Sequence, residues 1–344
     1  MKHDSVKNYY GQKLQSSADL QTNACCSPET VPDRLKRVLG LIHEDVASKY
    51  YGCGLIAPEV LQGARILDLG SGSGRDVFVL SALAGESGHV DGVDMTEEQL
   101  SVARAHVETH RDRFGYIKAN TAFHHGYIED LAALGLAPES YDVIVSNCVI
   151  NLALDKAAVL KGAWDLLAPG GEMYFSDVYA SRRVPDDLRA DPVLYGECLS
   201  GAMYHGDFRS VARRTGFIDP RVVEARPLTI ENPALQAKLG EIRFHSVTYR
   251  LFKLLGLEDS QEDYGQAVVY RGTVDGSEDV FVLDRETRFE RGRATTVSGN
   301  TAQMVLRTRF APHFDVIGKG VVHFGAFNAF DAPITDAADP STCC

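Results

Sequence analysis

Basic side chains are in short supply in this chain: 35 Lys and Arg stand against 47 Asp and Glu, a formal net charge of -12 over 344 residues. That balance argues against a nucleic-acid partner, whose phosphates are neutralised by Lys and Arg. Long apolar runs are missing too. No stretch reaches the ~20 residues that cross a bilayer, and the opening MKHDSVKNYYGQKL carries no apolar signal core. The expected setting is therefore the cytoplasm, without a membrane partner. A third absence is the C-x-x-C pair, which argues against structural zinc. The seven cysteines are Cys25, Cys26, Cys53, Cys148, Cys198, Cys343 and Cys344. An odd number in an expected cytosolic chain argues against a disulfide framework. A lone cysteine is ordinarily a small buried hydrophobe, which explains one or two of these but not the set. The rest of the composition, 44% apolar and 24% charged, is that of a soluble globular protein with room for two domains or one with extensions.

What is present is organised around ARILDLGSGSG, Ala64 to Gly74. Ile66, Leu67 and Leu69 read as a buried strand that enters a turn with Gly70, Gly72 and Gly74. The following RDVFVLSALAG has helical spacing and stops at Gly85. Strand, glycine turn and helix open a nucleotide-binding α/β unit, although an ordinary tight turn without a ligand has the same pattern. The spacing D-x-G-x-G-x-G, beginning at Asp68, resembles motif I of the class I S-adenosylmethionine (SAM) methyltransferases rather than a dinucleotide fingerprint. By that resemblance Asp68, Gly70, Ser71, Gly72 and Gly74 bind the cofactor.

Further strands and helices alternate along the chain. HVDGVDM ends a second strand at Asp94, twenty residues after Gly74, where an acid accepts hydrogen bonds from ribose hydroxyls; Met95 follows it. Thr96 and Gln99 have capping-box spacing at the head of one helix, EEQLSVARAHVETHRDRFG. FHHGYIEDL places Ile128 and Glu129 near an adenine ring, or else as a packed loop and a helix-capping acid. YDVIVSNCVINL is a fourth strand with Asn147 and Cys148 at its carboxyl end, where ligands of open α/β sheets collect. DKAAVLKGAWDLLAPGG is a helix and EMYFSDVY a fifth strand. Upstream, DRLKRVLGLIHEDVASKYYG reads as one amphipathic helix; downstream, PRVVEARPLTI reads as a strand and ENPALQAKLGEIRFHSVTYRLFKL as a helix. From Gln266 to about Phe324 short β-type runs alternate, with a hairpin signal at Asn300 in SGN.

A SAM methyl is a good electrophile, so the protein has mainly to aim a nucleophile at it. Oxygen or nitrogen acceptors call for a base, for which His124 and His125 are the candidates, though surface histidines are the plainer reading. Scattered thiols suggest instead a soft, thiophilic acceptor held by thiolates. From DLQTNACC through YYGCGL, ILDLGSGSGRD, VSNCVINL, YFSDVY and YGECLSGAMY, the chain closely resembles the arsenite SAM methyltransferases over roughly residues 20 to 255, and its C-terminal part is similar too.

The resemblance implies a class I Rossmann-like doubly wound α/β sheet with an arsenic-binding insertion and a small antiparallel C-terminal domain. Residues 1–60 are then a helical N-terminal extension with Cys25 and Cys53, 61–180 the SAM domain, and 181–257 the arsenic(III)-binding region. Residues 258–330 are a β-rich C-terminal domain, and 331–344 a flexible tail ending in two cysteines. It implies, too, that Cys148 and Cys198 hold trivalent arsenic, with Cys53 as a third thiol and Cys25 as the N-terminal thiol. Arsenite or an arsenic–thiol complex is the implied substrate, methylated in the service of detoxification. A disulfide between Cys25 and Cys53 is implied in turnover, reduced by thioredoxin or glutathione. Cys26, Cys343 and Cys344 are left without a role, and a monomer is expected. Two other readings fit the same residues: a methyltransferase of another small molecule with incidental cysteines, and a SAM-holding metalloid sensor.

Overall fold

The computed structural model describes residues 33–49, 54–189, 191, 194, 199–230 and 232–327. Cys25, Cys26, Cys53, Cys198, Cys343 and Cys344 lie outside the described residues. The first strand, β1 (Arg65–Leu69), runs through the middle of the main sheet, between β2 (His89–Asp94) and β4 (Tyr141–Asn147), and is parallel to both. Ile66, Leu67 and Leu69 are fully buried because helices cover both faces of a parallel sheet, so the strand reads as a continuous apolar run. Each such side chain stabilises the fold by roughly 1.5–3 kcal/mol. With β3 (Thr121–His125) and β5 (Leu167–Ala180) the order is β3-β2-β1-β4-β5. The chain works outward from β1 to β3 and then crosses back to β4. Direction therefore reverses between β1 and β4, and a crevice opens there at the carboxyl ends of the strands. The register aligns those ends: Leu69 stands opposite Val93 on one side and Ser146 on the other.

Beyond β5 the sheet continues with β7 (Arg221–Pro227) and β8 (Phe244–Phe252), while the short β6 (Met203–Tyr204) pairs with β5 alone. The stretch after residue 180 thus adds three strands to the same sheet. β8 lies between β5 and β7 and is antiparallel to both. This corrects the helix read over ENPALQAKLGEIRFHSVTYRLFKL. Only Pro233–Leu239 is helical; Asn232 caps it by accepting from Ala234 and Leu235 N–H, and Gly240 (φ 58) ends it. A strand buried on both faces has no period of two, so its apolar run is not separable from a buried helix. The amphipathic helix expected after Pro32 is two short helices, Asp33–Leu39 and Glu44–Ala47, broken around Gly40. The long helix after Thr96 likewise splits at His106 into Glu97–Ala105 and Val107–Phe114.

The C-terminal unit is antiparallel. After the short β9 (Glu262–Asp263), its central strand β10 (Gln266–Tyr270) pairs with β13 (Ala294–Val297) and β14 (Phe314–Ile317), beside the hairpin of β11 (Val280–Asp284) and β12 (Thr287–Glu290). The hairpin expected at Asn300 is absent. Ser298 accepts from Thr301 N–H and starts a helix, Gly299–Leu306, and Asn300 is buried with its amide on Asp219 and the Glu258 carbonyl. Here a side-chain cap and a buried partner outweigh the turn preference of Gly-Asn. Phe252 and Leu254, at the end of β8, share an apolar core with Tyr270, Phe281, Phe310 and Phe314, so the unit is packed directly onto the main sheet. A buried charge network crosses the same junction. Arg250 on β8 meets Glu172 on β5 (2.5 Å) and Glu59 before β1 (2.6 Å), and Arg309 also contacts Glu172.

Candidate active site

The turn after β1 is left-handed at all three glycines, but for three different reasons. At Gly70 (φ 80) an added Cβ would lie 2.5 Å from the Val149 methyl carbons, so only glycine lets the turn after β4 pack against it. Gly72 (φ 51) has open space where a Cβ would be, which leaves its backbone bare toward the crevice. Gly74 (φ 89) caps the helix Arg75–Ala84, and a Cβ there would meet Phe123 at 2.9 Å. The turn is held in place by its amides. Gly70 and Ser71 N–H donate to the Val93 carbonyl at 2.8 and 3.0 Å, and Gly72 N–H donates to Asp94 Oδ2 at 2.9 Å.

A cavity opens over this turn. Asp68, Gly70, Ser71, Gly72, Asp94, Met95, Ile128, Glu129, Asn147 and Cys148 all line it. Gly74 does not; its neighbours Phe123 and Ala103 show it to be a packing glycine behind the turn. The sequence reading had also missed Lys49, Ser73, Arg75, Asp76, Thr96 and Val149, which share the lining. Asp76 had a local signal, because it follows directly on the glycine turn. Lys49 had none: it arrives from the N-terminal segment, which Ser73 Oγ holds by donating to the Val46 carbonyl at 3.1 Å.

Three carboxylates dominate the electrostatics. Burial, then the neighbouring Asp76 and Asp94, push the Asp68 carboxyl well above its usual range, against the pull of Arg75. Burial also raises Asp94, opposed by the amides of Gly72 and Thr96. A cleft with carboxylates this crowded favours a cation, because a positive ligand relieves their mutual repulsion. Asp94 accepts from Gly72 and Thr96 N–H (2.9 and 2.8 Å) and from the Thr96 side chain, which leaves acceptor capacity on the carboxylate for hydroxyl donors. The expected capping box does not close: Thr96 begins the helix, but its side chain makes no cap hydrogen bond, and its N–H is taken by Asp94.

Asn147 Nδ2 donates to the Gly54 carbonyl and to Asp76 Oδ2, each at 2.9 Å. It thereby joins the end of β4 to the segment entering β1 and to the helix after the glycine turn. Glu129 Oε1 accepts from Leu154 N–H at 2.9 Å, and Ile128 is buried, so both also serve as packing and capping groups. His124 and His125 are engaged elsewhere. His124 Nε2 lies 2.7 Å from Asp91 Oδ1, and His125 Nε2 lies 3.1 Å from the Met95 carbonyl. Although burial raises Asp91, hydrogen bonds from His124, His89 and Tyr141 hold it well below the usual carboxylate range. Neither histidine lines the cavity.

Cys148 is 3% exposed and stands at φ 57, a left-handed conformation that costs a non-glycine residue about 1–3 kcal/mol. It is also disulfide-bonded, against the expectation that Cys148 is a free thiol that holds arsenic. Bridging needs two sulfurs brought together by the fold, which spacing along the chain does not reveal. Its N–H donates to the Ser176 carbonyl at 2.9 Å. The next residues form a 3-10 turn, Ile150–Leu152, and Leu152 also lines the cavity.

Residues 61–216 match the family model of a methyltransferase domain, and residues 264–326 match that of the arsenite methyltransferase C-terminal domain. The arsenite methyltransferase of Aquipseudomonas alcaligenes is 60% identical over 94% of this chain and 93% of its own. The chain belongs to the arsenite methyltransferase family. The human arsenite methyltransferase is 44% identical over 95% of this chain and 87% of its own. The crystal structure of an arsenic(III) S-adenosylmethionine methyltransferase from Chlamydomonas reinhardtii superimposes with a TM-score of 0.85 at 49% identity, covering 87% of this chain and 100% of that one. This arsenite methyltransferase is a SAM-dependent transferase with the class I sheet, and its small antiparallel C-terminal unit is the family's own. Among the described residues no helix is long and apolar enough to cross a membrane.

Proposed function

We propose that the enzyme methylates trivalent arsenic held by cysteine thiolates. The observation that carries this reading is the position of Cys148: a soft nucleophile-holding sulfur lines the same cavity as the glycine turn and the crowded carboxylates. Asp68, Asp94 and the open side of Gly72 fit a cationic, ribose-bearing cofactor. When bound, SAM supplies a methyl group on a positively charged sulfur. Asp94 would accept from ribose hydroxyls, Asp68 and the Arg75-paired Asp76 would offset the positive charge, and Met95, Ile128 and Glu129 would receive the adenine. Arsenic(III), carried in as arsenite or a thiol complex, exchanges onto Cys53, Cys148 and Cys198. Its lone pair forms the As–C bond as the S–CH3 bond breaks, and the bonding pair stays on sulfur. Arsenic would take up the positive charge and become formally pentavalent; its lone pair carries no proton, so no general base is required, in keeping with the engagement of His124 and His125 elsewhere.

A disulfide-bonded Cys148 has no thiolate to offer, so reduction must precede arsenic loading. A thiol reductant, thioredoxin or glutathione, is the proposed co-substrate: Cys25 and Cys53 give two electrons that return the pentavalent methylarsenic to the trivalent state, and the reductant reopens the disulfide they form. We assign the enzyme to arsenic detoxification as a cytoplasmic monomer. The test is Cys148→Ser, assayed with arsenite, SAM and thiol by mass spectrometry of the arsenicals. The variant should form no methylarsenical while binding SAM with wild-type affinity by calorimetry. Methylation at the wild-type rate would overturn the thiolate reading.

A further inference from the structure

We infer that Asp177 is a positioning residue for the reaction, fixing the Cys148 turn through the backbone amides of Ile150 and Asn151. The inference rests on the reading that Cys148 carries the arsenic. Asp177 is fully buried on β5, and β5 is locked on both sides, with Asn147 paired to Ser176 and Asp177 paired to Val247. From that rigid base its carboxylate reaches the turn. Oδ2 accepts from Asn151 N–H at 2.8 Å, Oδ1 accepts from Val178 N–H at 2.8 Å, and the Ile150 amide is a further donor. Around it the same turn is gripped three more times. Cys148 N–H reaches the Ser176 carbonyl, and Asn151 Nδ2 donates to the Val178 carbonyl at 2.5 Å. Lys156 Nζ donates to the carbonyls of Asn151 and Ala153 at 3.1 and 3.0 Å.

This concentration of anchors has a physical reason. A left-handed cysteine relaxes to ordinary backbone angles unless its surroundings hold it, and relaxation would swing its sulfur away from the glycine turn. Asp177 is the only one of these anchors that takes two successive amides just beyond Cys148. It does so at a cost to the fold: burial pushes its carboxyl up to about 7, against the amides of Val178 and Asn151 and the charge of Lys156. An apolar residue would pack without that cost, but would leave the amides of the turn unpartnered. Transfer of a methyl is sensitive to such placement, because the donor carbon and the attacking atom must be in line.

The test compares the reduced full-length protein with Asp177→Ala and Asp177→Asn. Three readings are taken: kcat and KM for arsenite at saturating SAM, SAM affinity by calorimetry, and the alkylation rate of Cys148 by iodoacetamide, mapped by peptide mass spectrometry. Asp177→Ala should lose on the order of 100-fold in kcat, the scale set by misplacement of a reacting group. It should keep wild-type SAM affinity and alkylate faster at Cys148. Asp177→Asn, which retains one acceptor oxygen, should recover part of kcat, and it serves alone if the alanine variant does not fold. Unchanged kcat and unchanged Cys148 alkylation in the folded variants would overturn the positioning role. So would losses that follow SAM affinity alone. Failure of the arsenic reading is recognised separately, by a Cys148→Ser enzyme that still methylates arsenite; the alkylation rate then still reports whether Asp177 holds the turn.

Discussion

Two turns leave the carboxyl ends of adjacent strands, one after β1 and one after β4, and both use left-handed backbone. The first does so with glycines, for which that conformation is cheap, and its amides are satisfied by the neighbouring strand end at Val93 and Asp94. The second does so with Cys148, for which it is expensive, and it is held by Ser176, Asp177, Asn151 and Lys156. The turn after β1 is thus shaped by its own residues, and the turn after β4 by residues elsewhere. They are also in contact: Gly70 leaves no room for a Cβ beside Val149. A glycine turn can be built from local rules, whereas a cysteine at a strained position requires the surrounding sheet to impose its conformation.

The largest break in this comparison should come from Gly70→Ala. The substitution strains the backbone at φ 80 and drives a methyl group into Val149, costing about 1–3 kcal/mol for each effect. Chemical denaturation should show that loss, and both SAM affinity and arsenite turnover should fall, because the two turns share the contact. A wild-type denaturation midpoint would show that the turns do not constrain each other.

A smaller effect separates the turns by their strain. Cys148→Gly and Cys148→Ala both lack the thiol, so both should be inactive and without the disulfide. The glycine variant should nonetheless be the more stable by about 1–2 kcal/mol, since only alanine still pays for a left-handed Cβ. Equal stability, measured by urea unfolding at one pH, would mean that Cys148 is not strained in the way its φ suggests.

A further way to sharpen the comparison is a pH dependence at Asp177. Its carboxyl lies at about 7 in the fold, raised above an ordinary value of 3.8 by burial. A raised carboxyl contributes most to stability below about pH 4 and loses that contribution as pH rises through 7. The stability of the wild type relative to Asp177→Asn should therefore decline across that window and level off above it. A difference that stays flat from pH 4 to pH 8 would remove Asp177 from the list of strained groups.

Much of the donor half of the site was legible along the chain, because its signals are local. The apolar run Ile66–Leu69, the three closely spaced glycines and Asp94 at the next strand end each follow from short-range chemistry. Asn147 and Cys148 were legible for the same reason, as the polar end of an apolar strand. Gly74 was legible as a turn residue but not as a packing one, since Phe123 and Ala103 approach it from other elements. β8 was misread because burial of both faces erases the alternation that marks a strand. Asn300 was misread because its partners, Asp219 and Glu258, lie far away along the chain.

By itself, then, the amino-acid sequence determined the class of sheet, the glycine turn after β1 and the polar end of β4. Those depend on side-chain type and on backbone preferences that span only a few residues. The tertiary structure decided that β5 grips the Cys148 turn, that Gly70 and Val149 interlock, and that the histidines are engaged away from the cavity. Each of these is a contact between residues distant in sequence, fixed only when the sheet brings them within hydrogen-bonding or van der Waals reach.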